Sequence, residues 1–303
     1  MIKFPKSLRS VLSRLDLYLI LATFLLLILG ILVIWSSNPG LAHKQAKIAL
    51  LGGGLFILAA IVKSSYIERA APFVFFIVLI SLLATIFFGH QVRGASRWLT
   101  LGPLSFQPSE VAKLGLCLGL SWLFTLRKIS RTWRFFVGFL AFSLFVVLVV
   151  LQPDLGTAAI LISIWVGISF MAGVPIRYLL FLLFLVILSL PLGWHFLASY
   201  QKVRIYAFLN PEADPLGSGY NALQAIIAVG SGQVFGRGLG RGPQSQLRFL
   251  PERSTDFIFA SLAEEWGLLG VGILLTLFFS LLLRIFRVAS QAKDGFGALL
   301  CVG

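Results

Sequence analysis

Eight long apolar runs constrain this chain more than any other feature of its sequence. They cover residues 17–36, 44–62, 71–88, 111–126, 135–151, 155–173, 178–194 and 266–283. A helix needs about 20 apolar residues to cross a hydrocarbon core of about 30 Å, and open strands would leave backbone groups without hydrogen bonds in lipid. With 58% hydrophobic and only 12% charged residues, the chain is too apolar for a soluble globule, in which about 25% of residues are charged. The sequence therefore predicts an all-α, polytopic membrane helix bundle with about eight transmembrane helices.

The charged residues predict which side of the membrane each connection faces. With the N-terminus in the cytoplasm, the inner connections hold 14 of the 25 Lys and Arg residues, and the short outer connections hold only five. This is the positive-inside bias, so the net charge of +14 reflects topology and does not indicate nucleic-acid binding. Both termini are then cytoplasmic, and residues 195–255 form one large extracytoplasmic loop with a short amphipathic helix at 220–230. Eight of the 11 acids fall on the outer side, which places any chemistry there.

The stretch GASRWLTLGPLSFQPSEVAKLG is the first polar motif on the predicted outer face. Glu110 and Lys113 are three residues apart, so they can form an ion pair on one helix face. In a structural interpretation this pair lets a helix begin in the headgroup region, with Trp98 at the interface. In a functional interpretation Arg97 and Lys113 hold phosphate, while Trp98 packs on a sugar or a lipid chain.

Two further outer motifs each allow a structural and a functional interpretation. Asp154, in QPDLGTA, is well placed to cap the helix that follows, and we favour this structural role for it. GSGQVFGRGLGRG (230–242) lacks the strand-turn-helix context of a dinucleotide fingerprint. Its backbone N–H groups, with Arg237 and Arg241 nearby, could cradle a diphosphate, or the run could be a flexible loop.

The segment PERSTDFIFASLAEEWG (251–267) carries four carboxylates at the mouth of the last span. A helix that begins at Thr255 or Asp256 places Asp256 and Glu264 on one face with small residues between them, which would leave a groove beside the helix. A bulky ligand could reach Asp256 along that groove. Helix capping alone is sufficient to explain Asp256, but it does not explain Glu264, about two turns further along.

Taken together, these stretches resemble the SEDS family (shape, elongation, division and sporulation) of the RodA/FtsW type. The resemblance rests on the first outer motif, on QPDLGTA, on RIYAFLNPEADPLGSGYNALQAIIAVGSG and on GRGLGRGPQSQLRFLPERSTDFIFASLAEEWGLLG, which lie in the expected order. PQSQLRFLPE is closer to the rod-shape RodA branch than to the division branch. The resemblance implies a peptidoglycan glycosyltransferase that polymerises lipid II at the outer face of the cytoplasmic membrane, for cell elongation and shape. It also implies a class B penicillin-binding transpeptidase as partner.

The resemblance further implies roles for individual residues. Asp256, in the motif TDF, is the catalytic candidate, and five residues match family positions around the same cavity: Arg97, Trp98, Glu110, Lys113 and Asp154. The chain departs from the family at Ser254, where a His is usual, and in its eight spans, since family members have ten. We therefore expect residues 1–303 to be a single SEDS-type membrane domain with a C-terminal truncation, which could leave this chain inactive.

The expected chemistry combines one base with several cations. Asp256 would act as the general base on an acceptor sugar hydroxyl, and outer basic residues would stabilise the departing diphosphate. The candidate cations are Arg97, Lys113, Arg204, Arg237 and Arg241, and Glu264 joins them as a further substrate contact. A divalent cation bridging an acid and the diphosphate is compatible with this chemistry, but no metal-ligand spacing in the sequence requires a cofactor.

Two other functions fit parts of the sequence. A flippase that moves lipid II across the membrane also needs charged residues at membrane depth. It would need them along its whole path, however, whereas the acids here stop at the outer mouth of the spans. A scaffold that only recruits a transpeptidase would suit a truncated chain but leaves the acid cluster unexplained. We therefore expect the enzyme.

Overall fold

Helices make up most of the structure, a computed structural model that describes residues 16–92, 95–101, 104–126, 130–197, 199–247 and 249–303. The helices are α1 (Leu17–Ser37), α2 (Pro39–Ile61), α3 (Ser64–Phe88), α4 (Pro108–Thr125), α5 (Arg131–Leu151), α6 (Leu155–Met171), α7 (Ile176–Phe196), α8 (Ser199–Leu209), α9 (Tyr220–Ser231), α10 (Pro243–Gln246), α11 (Ile258–Gln291) and α12 (Gly295–Val302). A short 3-10 helix covers Pro211–Ala213.

Each of the eight predicted spans coincides with one of these helices. Six described helices are long and apolar enough to cross a membrane, namely α1, α2, α3, α5, α7 and α11. Helix α6 is apolar but has only 17 residues, and α4 carries Glu110 and Lys113 near its start. The predicted all-α, polytopic membrane fold is confirmed.

A three-stranded antiparallel sheet between α3 and α4 was not anticipated from the sequence. Its strands are β1 (His90–Val92), β2 (Ala95–Leu101) and β3 (Leu104–Phe106), in the order β1-β2-β3. Trp98 pairs with His90 across β1 and β2, and Leu99 pairs with Phe106 across β2 and β3. Strand β2 packs on α3 and on α4, so the first polar motif is held at the end of these two helices.

The described chain divides into two compact units, which we treat separately. The first contains the residues up to Ile61 and Leu188–Arg284, and the second contains Val62–Ile187 and Ile285–Gly303. In the second unit α4 is the central helix, with twelve buried residues, and it packs against α3, α5, α6 and α12. Small residues along α4 allow this close packing, which in membranes depends on van der Waals contact.

In the first unit, polar contacts at both ends of α1 tie it to distant parts of the chain. At its N-terminal end, Asp16 accepts hydrogen bonds from the N–H groups of Tyr18 and Leu19 and pairs with Arg284, with 2.6 Å between Oδ2 and Nε. At its C-terminal end, the backbone oxygens of Ser36 and Ser37 accept hydrogen bonds from Gln246 and Arg253. Helix α1 is about 30 Å long, so residue 284 and the 246–253 region lie at opposite ends of this unit.

The predicted outer loop, residues 195–255, is mostly helical in the structure. Helix α7 continues to Phe196, and α8, α9, α10 and the 3-10 helix follow before α11 begins. The amphipathic helix expected at 220–230 is present as α9. Helix α11 begins at Ile258, two or three residues later than predicted, because residues 251–257 form a turn.

Candidate functional site

Asp256 lies in the turn immediately before α11, with its side chain exposed. It lines a groove of about 350 Å³ whose other walls come from α9 and from the start of α11. Those walls are apolar and consist of Ala225, Ile226, Val229, Phe257, Phe259 and Ala260. The Asp256 carboxylate makes no hydrogen bond or ion pair with any described residue, so it does not cap the helix. The structure therefore presents an exposed carboxylate, without a partner among the described residues, beside an apolar groove.

The turn that carries Asp256 is fixed to the end of α1 by Arg253 and Ser254. Arg253 donates from Nη2 to the backbone oxygen of Ser37 at 3.0 Å, and the hydroxyls of Ser254 and Ser37 are 3.2 Å apart. Ser261, in the first turn of α11, donates from Oγ to the backbone oxygen of Arg253 at 3.3 Å. The sequence resemblance marked Ser254 as a departure from the usual His, and here Ser254 has a definite partner in Ser37.

Glu264, predicted to contact substrate, is buried inside the fold instead of facing the groove. Its side chain is 0% exposed. Its carboxylate accepts hydrogen bonds from the backbone N–H groups of Gln244 at 2.8 Å and Ser245 at 2.9 Å, and from the Ser245 hydroxyl. A buried carboxylate is stable only when it is paired or hydrogen-bonded, and here the donors lie at the start of α10. The groove predicted between Asp256 and Glu264 is therefore closed at Glu264, which holds the loop in place.

The neighbouring Glu265 is also buried, with 2% of its surface exposed. The Ser36 hydroxyl donates to its carboxylate, at 2.6 Å from Oε1 and 2.7 Å from Oε2. Gln246 donates from Nε2 to the backbone oxygen of Ser36 at 2.9 Å. Glu264 and Glu265 thus anchor α10 and α1, respectively, to the same turn of α11, and both are structural acceptors.

Helix α11 is broken at Gly267, whose φ of 64° and ψ of −161° are non-helical. Such a break leaves carbonyls before it and N–H groups after it without helical partners, and irregular backbone at membrane depth is tolerated only where the protein supplies partners. The glycine-rich run 230–242 supplies them. Arg237 and Gly238 donate to the backbone oxygens of Glu264 and Glu265, at 2.9 and 3.0 Å.

The same run accepts hydrogen bonds from the other side of the break. Leu268 and Leu269 donate to the backbone oxygens of Gln233 and Val234, at 2.8 and 3.1 Å. A Cβ atom added at Gly236 would lie 2.1 Å from the backbone oxygen of Glu265, so this close approach requires glycine. Part of the backbone of this run therefore completes α11, in contrast to the flexible loop of the structural interpretation. The cradling of a diphosphate by other N–H groups of the run stays a prediction.

Of the three predicted phosphate-binding arginines in the first unit, the structure describes the side chains of two. Arg237 and Arg241 have exposed side chains that make no ion pair with a described residue, and they are carried by the run that packs against the break. Arg204 lies in α8, but its side chain is outside the described part of the structure. Among the predicted phosphate-binding residues whose side chains the structure describes, Arg237 and Arg241 are therefore the two on the same unit as Asp256.

Asp214, in the same loop, is hydrogen-bonded and so differs from Asp256. The backbone N–H of Ser218 donates to Asp214 at 2.7 Å, and the Ser218 hydroxyl donates to the same oxygen at 3.1 Å. These bonds, the backbone one above all, lower the pKa of Asp214 below its usual value. Asp214 therefore stabilises the turn before α9, whereas Asp256 makes no such hydrogen bond with a described residue.

In the second unit, the structure brings Asp154 to the start of α4. Asp154 is the N-cap of α6, as favoured from the sequence, and accepts from the N–H of Thr157 at 3.2 Å and from its hydroxyl at 3.0 Å. Gln107, which precedes α4, donates from Nε2 to Oδ2 of Asp154 at 3.4 Å, the same oxygen that accepts from the Thr157 hydroxyl. The first and second outer motifs are thus neighbours.

The predicted ion pair between Glu110 and Lys113 is present on the first turns of α4. The Lys113 Nζ lies 2.7 Å from Oε2 of Glu110, with 27% of the Lys113 side chain and 56% of the Glu110 side chain exposed. Trp98 is half-buried on β2. Arg97 lies on the same strand, but its side chain is outside the described part of the structure.

Among the described residues, no group of three or more His, Cys, Asp or Glu side chains is placed to hold a metal ion. Sequence reasoning also missed three groups at the site: Ser36 and Ser37, which receive the loop, and Arg253, which reaches α1. The only available signal for the serines was the polar pair that ends the first apolar run. The glycines of the 230–242 run did signal a close backbone approach, but the sequence did not show which backbone is approached.

The model of the FtsW/RodA/SpoVE family, described as "Cell cycle protein", matches residues 16–303. The chain belongs to this family. The resemblance noted from the motifs is therefore confirmed, and the protein is a multi-pass membrane protein of the SEDS type.

Two curated relatives carry names that describe an activity. "Peptidoglycan glycosyltransferase MrdB" of Escherichia coli is 39% identical over 296 residues, which cover 96% of this chain and 80% of MrdB. "Probable peptidoglycan glycosyltransferase FtsW" of Nitrosococcus halophilus is 37% identical over 310 residues, which cover 95% of this chain and 79% of the relative.

Two solved structures share the fold. A chain from a peptidoglycan synthase complex, described in terms of the coordination of polymerization and crosslinking, superposes with a TM-score of 0.79 at 31% identity, covering 95% of this chain and 82% of that one. The rod shape determining protein RodA of Thermus thermophilus gives a TM-score of 0.69 at 28% identity, covering 95% and 79%.

Proposed function

We propose that this protein is a peptidoglycan glycosyltransferase that polymerises lipid II, with Asp256 as its general base. One observation carries the proposal: Asp256 presents an exposed carboxylate, without a partner among the described residues, at the edge of an apolar groove. The similarity to relatives named peptidoglycan glycosyltransferase supports the reaction class. A lipid-linked sugar suits such a groove, because its chain needs apolar contact while its sugar hydroxyls remain at the polar edge.

The reaction forms one glycosidic bond and breaks one bond to phosphate. The acceptor hydroxyl oxygen attacks the anomeric carbon of the donor sugar, the Asp256 carboxylate takes the hydroxyl proton, and the lipid diphosphate leaves with the electron pair of the broken bond. A positioned base of this kind contributes about 10²–10⁴-fold in rate. The clamp from Arg253 and Ser254 to Ser37 supports this role, since a base must be held within hydrogen-bond reach of its proton.

The departing diphosphate needs positive charge. Arg237 and Arg241 are the first candidates, because they are exposed and lie on the same unit as Asp256. Their loop is held against α11 by backbone hydrogen bonds, so their charges are carried on a fixed support, which favours electrostatic stabilisation. Arg97, Lys113, Trp98 and Arg204 remain proposed substrate contacts. For Asp154 and Glu110 we propose an indirect role, through Gln107 and Lys113 respectively.

We further propose that the loop faces the outside of the cytoplasmic membrane and that both termini of this chain face the cytoplasm. The contacts at the two ends of α1 support opposite sides for residue 284 and for the 246–253 region. The positive-inside bias supports the assignment of residue 284 to the cytoplasmic side and of the 246–253 region to the outer side. The partner would be a class B penicillin-binding transpeptidase, in keeping with the similarity to a chain from a complex of polymerization and crosslinking.

Polymerisation by the purified chain tests this function. The chain, with its co-expressed transpeptidase, is incubated with purified lipid II in the absence of any other polymerase, and glycan chains are separated by size. We expect polymer of many disaccharide units. Transfer of lipid II between the leaflets of reconstituted vesicles, without any polymer, would contradict the enzyme and support a flippase. If omitting the chain from the reaction changed neither polymerisation nor transfer, a scaffold would be supported.

A further inference from the structure

A cavity of about 700 Å³ lies between the first turns of α5 and α7 in the second unit. This volume is within the range of about 300–1,000 Å³ that is typical of small-molecule sites. Most of its lining is aromatic or aliphatic, and Phe135, Phe139, Phe181 and Leu182 represent this part. The proposed polymerase reaction makes no use of this cavity.

The aromatic wall of the cavity is held in place by ring contacts. Phe135 stacks on Tyr178 with 5.6 Å between ring centroids, and Phe139 meets the Trp165 ring edge-to-face at 5.6 Å. Trp165 is itself buried and stacks on Phe142 at 4.9 Å. Aromatic pairs at these distances stabilise each other beyond their buried area. The cavity is therefore a preformed space with a fixed apolar wall.

Arg177 is the one charged residue among the described residues that line this cavity. The Arg177 guanidinium lies 5.2 Å from the centre of the Tyr178 ring, and this cation–π contact orients it. Arg177 is exposed and makes no ion pair with any described residue. Thr132, in the first turn of α5, adds a hydroxyl to the lining. The cavity thus combines an apolar interior with a cation and a hydroxyl at one end, which is the complement of an anionic amphiphile.

We propose that this cavity binds one anionic phospholipid, with its phosphate on Arg177 and an acyl chain among Phe135, Phe139 and Leu182. Basic pockets between transmembrane helices on the cytoplasmic side bind anionic lipid headgroups, and Arg177 faces the cytoplasm in the topology proposed above. A lipid-linked sugar consumed at the outer face would not meet Arg177 there. Phospholipids are the anions that surround this end of the helices, so the proposal commits to them.

Binding of phosphatidylglycerol to the purified chain in detergent, followed by native mass spectrometry, tests the site without any activity assay. Arg177→Gln keeps the length and polarity of the side chain but removes its charge, and we expect it to weaken phosphatidylglycerol binding about tenfold, as for the loss of one charge-assisted hydrogen bond. Thr132→Trp, which places a ring in the cavity, should weaken binding of the acyl chain to a similar extent. Phosphatidylcholine should bind to the wild-type chain more weakly than phosphatidylglycerol.

Arg69→Gln is the matched control, because Arg69 is exposed on α3 of the same unit and does not line the cavity. It should bind phosphatidylglycerol as tightly as the wild-type chain. Equal losses in Arg177→Gln and Arg69→Gln would overturn the proposal in favour of unspecific charge attraction. Unchanged binding in Arg177→Gln would also overturn it, as would tighter binding of a polyprenyl phosphate that competes with phosphatidylglycerol.

Discussion

Replacing Gly267 by Ala should destabilise the protein, because the break in α11 requires glycine at this position. The residue has φ 64° and ψ −161°, in a region that is essentially restricted to glycine and costs about 1–3 kcal/mol otherwise. The added Cβ would lie 2.3 Å from the backbone nitrogen of Gly236 and 2.6 Å from the backbone oxygen of Val234. Neither atom can rotate away, so the run 230–242 must retreat from the break.

Moving the run away from the break removes hydrogen bonds that the broken helix needs. The run makes four backbone hydrogen bonds to the break, at 2.8 to 3.1 Å, and each buried group left without a partner costs about 1–3 kcal/mol. Loss of even one bond, added to the backbone strain, gives a decrease of at least about 2 kcal/mol in the free energy of unfolding. The measurement is thermal unfolding of the purified protein in detergent, with hydrogen exchange of residues 233–238 as a second readout.

Gly272→Ala is the matched control on the same helix. Nothing lies within 4 Å of a Cβ atom added at Gly272, and Ala favours a helix over Gly by about 1 kcal/mol. The control should therefore be as stable as the wild-type protein or slightly more stable. If Gly267→Ala unfolds at the same temperature as Gly272→Ala, the packing of the glycine-rich run against the break is wrong.

Three further predictions concern the carboxylates, the cations and the topology. Glu264→Gln should reduce stability by about 2 kcal/mol, because the amide NH₂ that replaces one carboxylate oxygen cannot accept a hydrogen bond from the donors at the start of α10; unchanged thermal unfolding would contradict this. Lys113→Ala should raise KM for lipid II, and Glu110→Gln, which removes only the partner of Lys113, should raise it less; equal effects would leave only the structural pair, worth about 0.2–1 kcal/mol. In a variant without the two native cysteines, Leu216→Cys should react with an impermeant thiol reagent in intact cells, because Leu216 is 92% exposed. Protection from the reagent would overturn the proposed orientation.

Much of the fold was predictable because lipid imposes a simple rule on the sequence. Runs of about 20 apolar residues must be helices in a membrane, so every predicted span coincides with a helix. Short-range signals were also sufficient for the N-cap Asp154, which lies three residues from its donor Thr157, and for the pair Glu110–Lys113. Each of these features depends only on neighbours along the chain.

The roles of Glu264 and Glu265 were not predictable for the opposite reason. The partners of Glu264 lie 19 and 20 residues away, and Ser36 lies 229 residues from Glu265. Helical periodicity placed Glu264 on the face of Asp256, but the break at Gly267 and the approach of α10 enclose it instead. The short strands β1–β3 were missed because they contain only three to seven residues beside runs that are much more apolar.

The most direct test of the central claim is the rate of glycan polymerisation by Asp256→Asn. Asn has nearly the same shape but does not accept a proton at neutral pH, and Asp256 makes no hydrogen bond with a described residue that the change could break. We expect normal expression, normal thermal unfolding and a rate at least about 100-fold lower than that of the wild-type chain. Glu212→Gln, which changes another exposed acid of the same loop, should polymerise lipid II at the wild-type rate. An Asp256→Asn chain that polymerises lipid II as fast as Glu212→Gln would contradict the assignment of Asp256 as the general base.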